Sequence, residues 1–314
     1  MHKVVTWLKE TPYAAWEVTV ASEDASFRRY FRLHRDGETC IVMDASLETA
    51  TLAPFLDVTE RLDKVGVRVP KVYAEDRTQG FLVLEDFGSQ PLQGTLDGSN
   101  FKMLYRQCME EIVKMQRANV DGLPLYDKAF LHFEMNLMQQ WFLQRYLGWT
   151  LSPNDHAMLS NVLNSISEIV LQQPQGVFVH RDYHSRNIML TPDGKAGVID
   201  YQDAMNGAVT YDLVSLLKDL YIRFDTECIE ALALEFRDMA GLDVDDSTFL
   251  KWFDFMGMQR HIKVLGIFSR LYLRDNKSGY LKDLPLTLRY TIEAAERYEE
   301  TKPLAKLLKR VELP

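Results

Sequence analysis

The segment 177–203, VFVHRDYHSRNIMLTPDGKAGVIDYQD, constrains the fold more than any other part of this chain. Three short β-type runs, 177–179, 188–190 and 196–199, appear where the flanking sequence carries helical periodicity. The last two flank Thr191-Pro192-Asp193-Gly194, whose Pro-Asp-Gly chemistry favours a tight turn, so they read as a hairpin. The polar residues sit at the run ends. His180-Arg181-Asp182 follow the first run, Asn187 precedes the second, and Asp200 closes the third. A hairpin that folds the chain back turns Asn187 and Asp200 toward the same place.

The rest of the chain divides around this segment. The first ninety residues are β-rich, with strand patterns at 16–21, 27–34, 39–44, 72–74 and 81–84. Asp36-Gly37 between two of these runs is a hairpin signal. One helix is expected at 52–65, ending at Gly66 with Pro70 beyond, and a short amphipathic helix at the N-terminus. Beyond residue 100 the patterns are helical, at 101–118, 130–147, 155–172, 210–222, 226–240, 247–273 and 283–308. An α+β fold follows, with a small β-rich N-lobe over 1–88 and a larger helical C-lobe over 89–314.

The spacing His180-Arg181-Asp182 to Asn187, with Asp200 across a hairpin, matches the H-R-D-x-x-x-x-N catalytic loop and metal-binding Asp of kinases. Phosphoryl transfer needs these residue types. A carboxylate orients the acceptor hydroxyl and takes up its proton, which is the work proposed for Asp182. Two hard oxygen ligands hold Mg²⁺ against ATP phosphates, because Mg²⁺ keeps few protein ligands and fills its shell with phosphate and water. Asn187 and Asp200 are those ligands. Each residue alone would read as a turn or cap, and the constellation is what carries the chemistry.

With these motifs in view, the chain resembles the aminoglycoside phosphotransferase branch of the protein-kinase-like superfamily over nearly its full length. Ile199-Asp200-Tyr201-Gln202-Asp203 resembles the branch's metal-Asp setting, and Tyr211-Asp212-Leu213 its Asp-Leu helix start. The resemblance implies a bilobal protein-kinase-like fold, with His180 packing the catalytic loop and Asp212 buttressing it, although Asp212 also reads as an ordinary N-cap. It also implies that His184 and Arg186 face the acceptor or the transferring phosphate, with loop-stabilising hydrogen bonds as their alternative reading. Asp203 joins them as a candidate acceptor contact. The runs DASFRRYFR, IVMDAS, LEDFG and VHRDYHSRN with IDYQDA narrow the resemblance further. They are similar to bacterial kinases that phosphorylate the anomeric hydroxyl of N-acetylmuramate and N-acetylglucosamine in peptidoglycan recycling.

On the nucleotide side, 81–88 resembles the last N-lobe strand and hinge, implying adenine contacts at the Glu85 carbonyl and the Phe87 N–H. The phosphate-covering loop has no G-x-G-x-x-G. Ser26, Phe27, Arg28 and Arg32 lie in its place and are the candidate phosphate contacts. The strand 40–44, Cys-Ile-Val-Met-Asp, lacks the usual lysine, so Arg28 or Arg32 is expected to replace it, and Glu60 stands where its helix partner would be.

Composition limits the remaining classes. A net charge of −9 argues against a nucleic-acid partner. No apolar run approaches the roughly 18 residues needed to span a bilayer, and three dispersed cysteines suggest a reducing compartment. A cytoplasmic, monomeric, ATP- and Mg²⁺-dependent enzyme acting on an amino sugar is expected, with no membrane or nucleic-acid partner. Two other readings stay open: an aminoglycoside or other small-alcohol phosphotransferase, and a nucleotide-binding pseudokinase, against which the complete catalytic set argues. The acidic run Asp243, Asp245, Asp246 reads as a cationic-substrate site or as a solvated loop, and the aromatic stripe Phe130, Phe133, Trp141, Phe142, Tyr146 as core.

Overall fold

A computed structural model describes residues 2–22 and 28–314, the side chain of Ser22 excepted. It divides the chain into two compact units, Met1–Thr95 with Arg186–Asp203, and Leu96–Ser185 with Ala204–Pro314.

In the first unit, strands β1 (Glu17–Ser22), β2 (Arg29–Arg35), β3 (Glu38–Asp44), β4 (Val72–Asp76) and β5 (Phe81–Glu85) pair in the order β1-β2-β3-β5-β4, all antiparallel. Asp36 and Gly37, both at positive φ, form the two-residue turn between β2 and β3 and bring Arg35 opposite Glu38. Alternation in β2 and β3 sends Phe31, Leu33, Cys40 and Val42 to one face. Helix α1 (His2–Leu8) covers that face with Val4, Trp7 and Leu8. Helix α2 (Leu52–Lys64) buries Phe55, Val58 and Leu62. Further along the chain, the hairpin of β7 (Ile188–Leu190) and β8 (Ala196–Val198) belongs to this unit, tied by Val198 N–H to Arg68 O at 2.8 Å and Leu190 N–H to Gln90 O at 2.9 Å.

The second unit is helical: α3 (Phe101–Met115), α4 (Lys128–Leu137), α5 (Pro153–Gln172), α6 (Tyr211–Leu217), α7 (Thr226–Met239), α8 (Asp246–Asp275), α9 (Leu284–Glu296) and α10 (Lys302–Leu308). A two-stranded ladder pairs β6 (Val177–Val179) with β9 (Met205–Gly207). Helix α8 runs through the core, buried on nearly all sides from Phe253 to Gly266. Gly266 permits its closest approach to a neighbour: a Cβ there would stand 2.3 Å from the Leu137 carbonyl carbon. At that contact α4 widens into a π-helical stretch, Met138–Tyr146.

The structure departs from the sequence reading in four places. Strand β9 carries too short a pattern to be seen. The helix expected over 210–222 stops at Leu217, because Asp219 turns back to accept the Tyr221 N–H at 3.1 Å. The helix expected over 283–308 is two helices. Pro303 near the start of α10 cannot continue the α9 ladder, and Thr301 Oγ1 donates to Ala295 O at 2.9 Å across the break. The aromatic stripe is only partly core: Phe142 is buried and Phe133 is 60% exposed. The acidic run resolves as a solvated cap, since Asp245 caps α8 by accepting the Thr248 N–H at 3.0 Å and Asp246 pairs with Arg237. Among the described residues, no helix is long and apolar enough to cross a membrane.

Candidate active site

The loop after β6 holds Asp182. Arg181 takes φ 77°, a region that residues other than glycine rarely adopt. The strain is held by Asp212, whose buried carboxylate accepts the His180 N–H at 2.7 Å and the Arg181 N–H at 3.0 Å. Asp212 lies in the first turn of α6, so the rigid start of a helix sets the loop. Burial pushes its carboxyl up to about 6, against the pull of His180 and the two N–H donors. Buried His180 accepts the Asp182 N–H on Nδ1 at 3.3 Å and packs its ring on Tyr183. Further on, Asp219 accepts the Ser185 N–H at 2.9 Å, and His184 meets the Tyr221 ring edge-on at 5.2 Å. His184 Nδ1 is enclosed with no hydrogen-bond partner among the described residues. Burial pushes this imidazole below its ordinary range.

Behind the loop lies a buried polar network. Glu134 of α4 receives Arg181 Nη2 at 2.8 Å, Gln259 Nε2 at 3.1 Å, Lys263 Nζ at 3.2 Å and the Tyr126 hydroxyl. Lys263 also donates to Tyr211 Oη at 3.0 Å. Asp182 faces this cationic group with about half of its side chain open to solvent. Burial opposes its charge, but Lys263 and Arg260, with His184 and Arg181, hold the carboxyl well below the usual carboxylate range.

In the other unit, the β7–β8 register of Ile188 with Val198 forces the residues just outside the hairpin together. Ile199 N–H donates to Asn187 O at 3.1 Å, and Asn187 Nδ2 lies 3.3 Å from Asp200 Oδ2. Asp200, at φ 66°, keeps an exposed carboxylate, to which Gln202 Nε2 donates at 2.9 Å. Gln202 Nε2 also lies 3.4 Å from Asp203 Oδ2. The adjoining Tyr201 is anchored to α2 through Thr59 at 2.8 Å and by stacking on Phe55 at 5.2 Å. The amide turns its nitrogen to the carboxylate; with its oxygen presented instead, the two residues would offer the hard oxygen donors that Mg²⁺ takes beside water and phosphate. Arg186 directs Nε to Gln93 Oε1 at 2.9 Å.

The hinge residues are fixed by side chains. Glu85 makes a two-pronged pair with Arg68, and Arg68 lies 4.9 Å above the Phe87 ring. Arg32 grips Asp86 through Nε at 2.6 Å and Nη2 at 3.1 Å, and gives Nη2 to Gly88 O at 2.9 Å. The guanidinium of Arg32 is therefore a clasp on the hinge. Arg28 is buried and donates Nε to Thr51 Oγ1 at 3.3 Å. Ser26 and Phe27 lie outside the described residues. Glu60 is exposed and pairs with Lys64 four residues on, so it clamps nothing in the nucleotide strand.

Thus Asn187, Asp200, Gln202 and Asp203 come together in one unit, and His180, Asp182, His184 and Asp212 in the other. The motif reading missed Asp219, Arg260 and Lys263. The available signal was Gln259-Arg260-His261 and Lys263 inside the otherwise apolar run 255–268, since charges in a buried helix need a purpose.

A profile described as the phosphotransferase enzyme family matches residues 17–244. The chain belongs to this family. It is a small-molecule kinase with an α+β, protein-kinase-like fold. This phosphotransferase is 38% identical over 98% of its length to the N-acetylmuramate/N-acetylglucosamine kinase of Neisseria meningitidis serogroup B, covering 94% of that protein. It is 39% identical over 93% of its length to the Pseudomonas aeruginosa protein of the same name, covering 88% of it. The crystal structure of aminoglycoside phosphotransferase APH(2'')-Ib, ADP-bound, superposes with a TM-score of 0.61 at 14% identity, over 93% of this chain and 98% of that one.

Proposed function

We propose that this phosphotransferase moves the γ-phosphoryl group of ATP, with Mg²⁺, to the anomeric hydroxyl of N-acetylmuramate or N-acetylglucosamine. The observation that carries this reading is the near full-length match to relatives named for those two sugars. The acidity of the candidate base supports it. Asp182, surrounded by Lys263, Arg260 and Arg181, stays ionised through the neutral range and is a weak proton acceptor. It suits a hydroxyl more acidic than an ordinary alcohol, and an anomeric hydroxyl is one.

In this reading Asp182 orients the acceptor hydroxyl and takes its proton late in transfer. Asn187 and Asp200 hold Mg²⁺, which neutralises the nucleotide's phosphate oxygens. Asp212 keeps the loop in its strained form, His180 packs it, and Glu85 with Phe87 offers the adenine edge. His184, Arg186 and Asp203 are the acceptor contacts. Peptidoglycan recycling in the cytoplasm is the setting that such sugars imply.

The test offers the protein N-acetylmuramate, N-acetylglucosamine, an aminoglycoside and choline, each with ATP and Mg²⁺. An acid-labile glycosyl phosphate from the two sugars is expected, with kcat reduced by about 10² to 10⁴ in Asp182→Asn. An acid-stable ester formed only on the aminoglycoside or choline would overturn the acceptor.

A further inference from the structure

Helix α8 presents Gln259, Arg260 and Lys263 to the catalytic loop from successive turns, and two of the three reach the Glu134 carboxylate. Gln259 and Lys263 are bound by Glu134, Tyr126 and Tyr211. Arg260 differs. It is 2% exposed, yet its Nε and Nη1 have no hydrogen-bond partner among the described residues. Among the described residues its one ion pair is Nη2 to Asp182 Oδ1 at 3.7 Å, too long for a hydrogen bond. A guanidinium left unpaired inside a protein is costly, and an apolar residue of similar length would pack there at less cost.

We propose that Arg260 is the positioning residue for Asp182, orienting its carboxylate by charge from just beyond hydrogen-bond reach. The separation matters. A direct hydrogen bond from Arg260 would occupy a carboxylate lone pair, whereas a cation at 3.7 Å acts on the carboxylate through its charge. Lys263 also holds Asp182 charged, but it pairs with Glu134 and donates to Tyr211, whereas the ion pair that Arg260 makes among the described residues is to Asp182. The other charged groups acting on Asp182 are His184 and Arg181 of its own loop, and Arg181 is paired with Glu134. This inference rests on the reading of Asp182 as the hydroxyl-orienting group.

The experiment compares wild type, Arg260→Met, Arg260→Lys, Asp182→Asn and the Asp182→Asn/Arg260→Met double variant. Arg260→Met is expected to lower kcat for the sugar by about 10²-fold, the scale of a misplaced reacting group, with KM for ATP unchanged. Arg260→Lys restores part of the rate. Its melting temperature stays level or rises, whereas a structural role would lower it. In the Asp182→Asn background the Met substitution has no further effect. If Arg260→Met keeps wild-type kcat while Asp182→Asn loses it, the positioning role fails and the assignment of Asp182 stands. If Asp182→Asn itself turns over normally, both fail.

Discussion

The ring of Phe87 lies against Gly197 so closely that a Cβ on the glycine would stand 2.5 Å from Cδ2 and Cε2. Phe87 belongs to the hinge and Gly197 to strand β8, two residues before the end of the run that delivers Asp200. The β7–β8 hairpin is therefore seated on the segment 85–88 by one ring, with Arg68 on the ring at 4.9 Å and on the hairpin through its carbonyl.

Gly197→Ala forces this packing apart. Its φ is ordinary, so the cost is steric, about 1–3 kcal/mol of stability, as for other overpacked sites. A lowered melting temperature together with a raised KM for ATP is expected. An unchanged pair of values would show that the Phe87–Gly197 contact positions nothing.

Removing Glu134 leaves Arg181 and Lys263 buried without their shared counter-charge. Glu134→Ala is expected to cost about 3–5 kcal/mol, the scale for breaking one member of a buried ionic cluster. Denaturant unfolding measures it. The pH dependence has a definite sign. Burial raises the Glu134 carboxyl, but Lys263 and Arg181 outweigh it and hold the folded form below the ordinary glutamate range. Its stabilisation is present above that range and is lost as pH falls through the folded value. In Glu134→Ala that acid-side slope disappears.

How much of this was legible follows from where each signal lives. Asn187 and Asp200 were readable because turn chemistry and strand runs bracket them, and an antiparallel register does the rest. Arg260 and Lys263 were not, because a charge in a helix usually faces water and only tertiary packing turns it inward. The Arg32–Asp86 pair was hidden for a similar reason. Three arginines near a nucleotide loop suggest phosphate, whereas the sheet sets Arg32 opposite Ile41 and its guanidinium reaches Asp86, far away in sequence. Strand β9 has three residues and no alternation, and pairing with β6 creates it. The break between α9 and α10 was visible in Pro303, had the long apolar periodicity not concealed it.

Asp212 gives a second pH signature, of opposite sign. Its carboxyl rises from the ordinary aspartate range, about 3.9, to about 6 in the folded protein, chiefly through burial. Its contribution to stability is complete below the unfolded value and is lost as pH rises through the folded one. Activity runs the other way. Only the carboxylate form accepts both loop N–H groups at full strength, so kcat falls as pH drops through about 6. Asp212→Asn, measured from pH 5 to 8, is expected to lose this limb and to show a lower, flatter rate. Retention of the limb would assign it to another group.

The metal pair makes the last prediction. Asn187 and Asp200 lie 3.3 Å apart at the open end of the β7–β8 hairpin, and Gln202 donates to the same aspartate. Mg²⁺ takes few protein ligands, so removing one would weaken metal binding without touching Asp182 or His184 of the other unit. Asn187→Ala is expected to raise the Mg²⁺ concentration for half-maximal activity, with KM for the sugar unchanged and activity recovered in excess metal. Asp200→Asn removes the charged ligand and is expected to resist such recovery. A chelator abolishes turnover in the wild type, and added Mg²⁺ restores it. Identical Mg²⁺ titrations for wild type and Asn187→Ala would remove Asn187 from the metal site.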